Sequence, residues 1–232
     1  MSIYTNEYLY RGNQLNHINF LEKQNRIYSE FRDVSNIKIE GLKPKIEDNK
    51  GRYIIALRHS NNIISEIDKI TLKVNEKVTC IKYDKSNIHT TLATYNECIG
   101  FIHDKKQLEL IASIAEKNIT LIKGLKINYY ECLMNQDTAI VEGIPNEKFI
   151  EYINRITKDA SKYNIEFKMP WGAHITISRF LRKTSHDKTL ELLDIVKENK
   201  EIGISVPISV DIGYFKLSNE SFIINVYKRI NL

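Results

Sequence analysis

Ala173-His174-Ile175-Thr176-Ile177-Ser178 repeats a word already written at Ile88-His89-Thr90-Thr91-Leu92: histidine, any residue, threonine, then an apolar residue. Each run alternates as a β-strand does, and in a strand residues i and i+2 share a face. His89 then pairs with Thr91, and His174 with Thr176. Thr90 and Leu92, like Ile175 and Ile177, turn to the opposite face, where apolar side chains anchor a strand in a core. One such word is a weak signal, because a strand histidine is more often a hydrogen-bonded structural residue than a catalyst. Two carry more: both end a predicted strand, both precede a helical pattern, and each falls in its own half of the chain. Strands lying side by side would form a groove with two proton-transfer groups and two hydroxyl donors. That equipment suits breaking a phosphodiester without a metal.

Working outward, the order strand, helix, motif strand, helix, strand occurs twice. In the first half Arg52–Leu57 is a continuous apolar strand suited to a sheet centre, and Asn61–Lys73 and Lys105–Glu116 have helical apolar spacing. Ile119–Leu125 and Ile127–Cys132 read as strand interrupted at Gly124. In the second half Thr138–Gly143 is a strand, Pro145 opens a helix reaching Tyr163, and Asp187–Glu198 is a further helix. Ile204–Tyr214 and Ser221–Tyr227 close the chain as strands. The expected fold is α+β: two pseudo-symmetric lobes, each a mainly antiparallel sheet with helices outside, facing across a cleft with one motif from each.

Residues 1–50 stand apart as an N-terminal helical arm and linker, and 51–232 form the bilobal domain. Within the arm, Asn13–Asp33 carries Leu15, Ile18, Phe20, Leu21, Ile27, Tyr28 and Phe31 at amphipathic spacing. Tyr4, Tyr8 and Tyr10 fit a packed arm better than a nucleotide site, and His17 has no evident partner.

The chain has 232 residues, enough for a sizeable core. Its net charge of +5 permits an anionic partner without demanding one. Cys80, Cys98 and Cys132 are odd in number and widely spaced, which argues against a disulfide framework or a zinc site. No run approaches a membrane span and the start lacks a secretion-signal profile, so a cytoplasmic protein without membrane partners is expected.

The chain resembles the two-histidine (2H) phosphoesterase superfamily, which includes bacterial 2′-5′ RNA ligase/RNA 2′,3′-cyclic phosphodiesterases of the LigT type. The pattern is His-x-Thr/Ser-hydrophobic twice, here His89-Thr90-Thr91-Leu92 and His174-Ile175-Thr176-Ile177, and the element order matches over residues 52–232. Arg179 is similar to the basic residue often found after the second motif; the arm departs from the compact bacterial members. The resemblance implies a metal-independent, cofactor-free phosphodiesterase acting on a 2′,3′-cyclic phosphate, a 2′-5′ linkage or a cyclic nucleotide. Its partner would be a nucleotide or an RNA end.

In that mechanism one imidazole removes a proton and the other supplies one, since histidine has an ordinary pKa near 6.5. Thr91 and Thr176 would hold the non-bridging phosphate oxygens. Arg179 is a candidate phosphate ligand if the strand bulges there; otherwise Ser178 has the better phase. Trp171 and Tyr130 are candidate base-stacking residues. His59, His103 and His186 lack a hydroxyl two residues on and read as surface or structural, with His59, at a strand end between Arg58 and Ser60, the least settled. The alternative function is a nucleotide- or RNA-binding sensor that keeps the cleft without turnover.

Overall fold

The computed structural model describes residues 3–44 and 49–232, with residues 3–13 and Lys82 described by backbone alone. The side chains of Tyr4, Tyr8 and Tyr10 therefore lie outside the described residues. Helix α1 (Ile3–Arg32) and the short α2 (Ser35–Glu40) precede β1 (Lys50–Arg58), α3 (Asn61–Lys77), β2 (Cys80–Lys82) and β3 (Thr90–Ile99). Then come α4 (Lys105–Lys117), β4 (Ile127–Met134), β5 (Thr138–Pro145), α5 (Lys148–Ser161) and β6 (Ile175–Phe180). Helix α6 (His186–Glu198), β7 (Lys200–Ser205), β8 (Ser209–Leu217) and β9 (Phe222–Asn231) complete the chain.

Among the described residues all nine strands belong to one sheet, in the order β7-β4-β5-β6-β3-β1-β8-β9, with β2 paired to the far end of β6. The pairings are antiparallel throughout. The expected lobes are two halves of this sheet, and they do not follow the two halves of the sequence. β3 lies with β1, β8 and β9, whereas β6 lies with β2, β4, β5 and β7.

One residue pair, Thr90 opposite Ile175, joins β3 to β6 and so joins the halves. The sheet must fold sharply there. β7 and β8 are six strand spacings apart in the sheet, about 29 Å if it were flat, yet only Val206-Pro207-Ile208 connects them, a reach of about 14 Å. Pro207 explains why the single strand expected over 204–214 is two: it cannot donate to a ladder, and the chain crosses there from one half to the other. Two other expectations are corrected. Ile119–Ile122 is a 3-10 turn, and Pro145 ends β5 instead of opening α5.

β1 is apolar on both faces because both are covered. Ile55 and Leu57 enter the main core, while Ile54 and Ala56 pack with Ile81, Tyr83, Phe215 and Phe222 in a second cluster. Helix α3 buries Ile63, Ile64, Ile67 and Ile70, as its periodicity leads one to expect, but the stripe continues through Val74, while Leu72, expected on the same face, is exposed. α4 starts where Asp104 accepts the Lys106 and Gln107 amides at 2.7 and 3.3 Å. α1 buries Phe20, Tyr28 and Phe31 but leaves Leu15 and Ile18 exposed. It packs on α5 and β4, and Arg32 ion-pairs with Glu131 and Glu142. His17 does have a partner: its Nε2 donates to the Pro145 carbonyl at 2.9 Å.

Beneath the joint lies a buried polar knot. His59 is fully buried, with Nδ1 2.8 Å from the Ser205 hydroxyl and Nε2 3.1 Å from the Thr90 hydroxyl and 3.3 Å from that of Tyr129. Thr90 meets Tyr129 at 2.6 Å and donates to the His174 carbonyl at 3.2 Å. Residues from both halves are thus tied at one point, which corrects any reading of His59 as a surface side chain.

Burial drives the His59 pKa down to about 3, below its value of about 6.5 in an unfolded chain. The unfolded chain therefore takes up a proton that the fold refuses, so stability is full above pH 6.5 and declines below it. At pH 5 this one residue costs about 2 kcal/mol. Urea unfolding of the wild type should weaken more between pH 7 and pH 5 than that of His59→Asn; equal slopes would refute the account. A second prediction concerns Gly143, where an added Cβ would collide with the Ala173 carbonyl and the Tyr129 ring. Gly143→Ala should lose about 1–3 kcal/mol in the same assay.

Candidate active site

The joint of the two half-sheets positions the motifs. Extending the Thr90–Ile175 register one residue each way sets His89 opposite Thr176 and His174 opposite Thr91. Each histidine thus faces the other motif's threonine, and the two histidines are diagonal neighbours, on the order of 7–8 Å apart between Cα atoms. All four side chains line one cleft of about 240 Å³. Among the described residues neither threonine hydroxyl has a hydrogen-bond partner, so both are available to a ligand.

The imidazoles are held alike. His89 Nδ1 donates to the Asn87 carbonyl at 2.7 Å, and His174 Nδ1 donates to the Gly172 carbonyl at 3.1 Å. A carbonyl only accepts, so each neutral ring carries its proton on Nδ1 and keeps the Nε2 lone pair for the cleft. Each ring also rests on an aromatic one. His89 stacks on Phe222 at 5.6 Å and His174 on Trp171 at 4.1 Å.

Different groups hold the two loops. Before His89, Arg58 donates to the Ile88 and Lys85 carbonyls at 2.6 and 2.8 Å and Asn87 donates to the Phe222 carbonyl at 2.8 Å. Asp211 lies 3.7 Å from Arg58 and receives two bonds from Arg229. Before His174 the helix α1 does this work. Gln24 accepts the Ala173 amide at 2.8 Å, and Trp171 stacks on Phe31.

Desolvation lowers both catalytic candidates. It takes His89 down to about 4, with Arg58 and Arg179 pushing the same way, and moves His174, which remains partly open, in the same direction with a contribution from His89. At neutral pH both imidazoles are therefore uncharged.

Beyond each threonine the strand bulges at the equivalent place. In β6 the partners of Ala139 and Ile140 are Ser178 and Thr176, so Ile177 is the extra residue; in β3 the partners of Ile55 and Ala56 are Ala93 and Thr91, so Leu92 is. A bulge shifts the phase of alternation by one residue. Arg179 consequently joins Thr176 on the cleft face, and Thr94 joins Thr91. Ser178, the residue with the better phase in a regular strand, is buried with its hydroxyl unpartnered among the described residues, and it does not line the cleft.

Trp171 reaches the cleft wall, where its ring supports His174. Tyr130 does not. It lies on β4 in a separate hollow with Glu131, Glu142 and Lys200. His103 stacks on Tyr214 at the surface and His186 begins α6. The sequence reading missed Arg52, Tyr83, Phe215 and Phe222 on the cleft wall. Tyr83 accepts from Arg179 Nε at 3.0 Å, and Arg52 lies over the Phe215 ring. No local signal marks them, because pairing across the sheet brings β1, β8 and β9 together on one side of the cleft and sets β2, with Tyr83 after it, against β6. Thr94 was findable from its spacing to Thr91, which matches that of Arg179 to Thr176, but only once the bulges were known.

No family model and no curated protein matches the chain. Solved structures do. E. coli LigT in its apo form aligns at a TM-score of 0.52 with 14% identity, covering 79% of this chain and 98% of LigT. LigT complexed with 3′-AMP gives 0.53 and 13% over 79% and 98%, and a structure described as a phosphoesterase gives 0.51 and 14% over 78% and 97%. Two half-sheets joined at paired His-x-Thr strands, with helices outside them, are therefore an α+β architecture of the LigT fold.

Proposed function

We propose that the chain is a two-histidine phosphoesterase: a metal-independent phosphodiesterase acting on a 2′,3′-cyclic phosphate, a 2′-5′ linkage or a cyclic nucleotide. One observation carries the reading. Two imidazoles tethered through Nδ1 line a single cleft, each set opposite the other motif's threonine. A phosphate between them has a base on one side, an acid on the other and hydroxyls for its non-bridging oxygens. Arg179 adds charge at the same wall. The fold supports the reading, and the 3′-AMP held by LigT supports a nucleotide or RNA end as the ligand class.

The depressed imidazole pKa values define how the cleft is armed. Catalysis needs one neutral and one protonated ring, whereas burial leaves both neutral in the protein alone. A bound phosphodiester supplies the missing charge, because an anion beside an imidazole favours its protonated form. Substrate binding and proton uptake are thus one event, and either histidine can take the proton.

The test is product analysis by mass spectrometry in EDTA with 2′,3′-cyclic nucleotides, 2′-5′ oligoadenylates and cyclic di- and trinucleotides. His89→Ala and His174→Ala should each lower kcat at least a hundredfold, roughly the scale of lost acid/base catalysis. Thr91→Val and Thr176→Val should lower it about tenfold to a hundredfold. Binding without turnover that survives both histidine substitutions would leave a sensor in place of an enzyme. The pH profile gives a separate check. Because kcat/KM reports the free protein, it should fall as pH rises from 6 to 8, where fewer molecules carry the needed proton; a rise over that range would overturn the proton-uptake mechanism.

A further inference from the structure

We propose that the N-terminal helix α1 is part of the catalytic apparatus: Phe31 and Gln24 are positioning residues that hold Trp171 and the Ala173 amide, and through them aim the His174 imidazole into the cleft. This rests on reading the cleft as a two-histidine active site.

Three contacts converge on the loop before β6. Trp171 stacks on Phe31 at 5.8 Å with the rings 21° from parallel, and on His174 at 4.1 Å and 17°, while the Tyr28 ring meets it edge-on at 5.6 Å. The Gln24 side chain, 1% exposed, accepts the Ala173 amide. Gly172, whose carbonyl receives His174 Nδ1, lies so close to the helix that a Cβ there would sit 3.2 Å from Gln24 Cγ and from the Tyr28 hydroxyl. Every residue from Trp171 to His174 is thus fixed directly or through its neighbour by α1.

The comparison with the first motif makes this more than packing. The loop before His89 is held from within the sheet by Arg58 and Asn87. The equivalent loop before His174 receives a helix that precedes the sheet altogether. The Phe31 ring covers the indole that in turn covers the His174 ring, and burial lowers the proton affinity of that imidazole.

The chain has one tryptophan, so the proposal can be read without substrate. A protonated imidazole stacked on an indole quenches its emission, and the pH midpoint of Trp171 fluorescence therefore reports the ionisation of His174. His174→Gln should abolish that transition. Phe31→Leu, which keeps apolar volume but removes the ring, and Gln24→Met, which removes the acceptor, should each move the midpoint up toward the ordinary histidine range. The ionisable groups around His174 are His89, Arg52, Tyr83, Arg179 and Lys168 at the cleft and, on the helix side, Tyr28 and Arg32, the latter paired with Glu131 and Glu142. Neither substitution alters any of them. With 2′,3′-cyclic AMP as the probe, both variants should lose about tenfold in kcat with KM within about twofold, and Phe31→Tyr should restore both readouts. Thermal unfolding checks that each variant is folded; should Phe31→Leu fail, Gln24→Met decides alone. Titration curves and kcat superimposable on wild type in the folded variants would overturn the proposal. Absence of turnover by wild type would count against the phosphodiesterase reading, while the fluorescence midpoints would still decide the clamp.

Discussion

The pairing of Thr90 with Ile175 is the constraint on which the rest depends. Each is the middle residue of its His-x-Thr word, so placing them opposite one another sets both histidines and both threonines on one face in a single step. A register slip of one residue would turn each strand over and send the imidazoles into the core. Only one pair holds the halves at this point, and the polar knot below it adds a second tie. His59, Ser205, Tyr129 and Thr90 come from different strands or loops and end on the His174 carbonyl. Such a network, buried and mutually bonded, tolerates few alternative arrangements.

The symmetry is chemical as well as geometric. Each histidine donates Nδ1 to the carbonyl two residues before it, stacks on an aromatic ring and is followed by a bulge one residue past its threonine. The bulges are the means by which a strand presents more than alternate residues to a ligand. Without them Arg179 would point into the core, where an unpaired guanidinium is prohibitively costly. With them it reaches the cleft and bonds Tyr83, and its counterpart Thr94 occupies the same place in the other half.

The two motifs differ in their supports, and there the chain departs from strict symmetry. His89 depends on an Arg58–Asp211–Arg229 cluster at the end of β1 and on β9. His174 depends on aromatic and amide contacts from α1. Both arrangements bury the rings, and burial lowers their proton affinity.

The sequence by itself determined the His-x-Thr word and its duplication, the amphipathic helices, and the α+β antiparallel class, because hydrophobic alternation and helical periodicity are local properties that neighbouring residues express directly. It also carried the face assignment of His89, Thr91, His174 and Thr176, since a period of two is forced on any strand. What only the tertiary structure decided depends on contacts between distant residues. The grouping of β8 and β9 with β1 brings Phe215 and Phe222 to the cleft, a bulge exchanges Ser178 for Arg179, and burial makes His59 a tie between halves. Tyr130 was placed elsewhere for the same reason: its residue type suits stacking, but β4 lies beyond β5 and cannot reach the joint. Register, phase and neighbourhood are set by pairing across the sheet, and no window of sequence contains both partners of a pair.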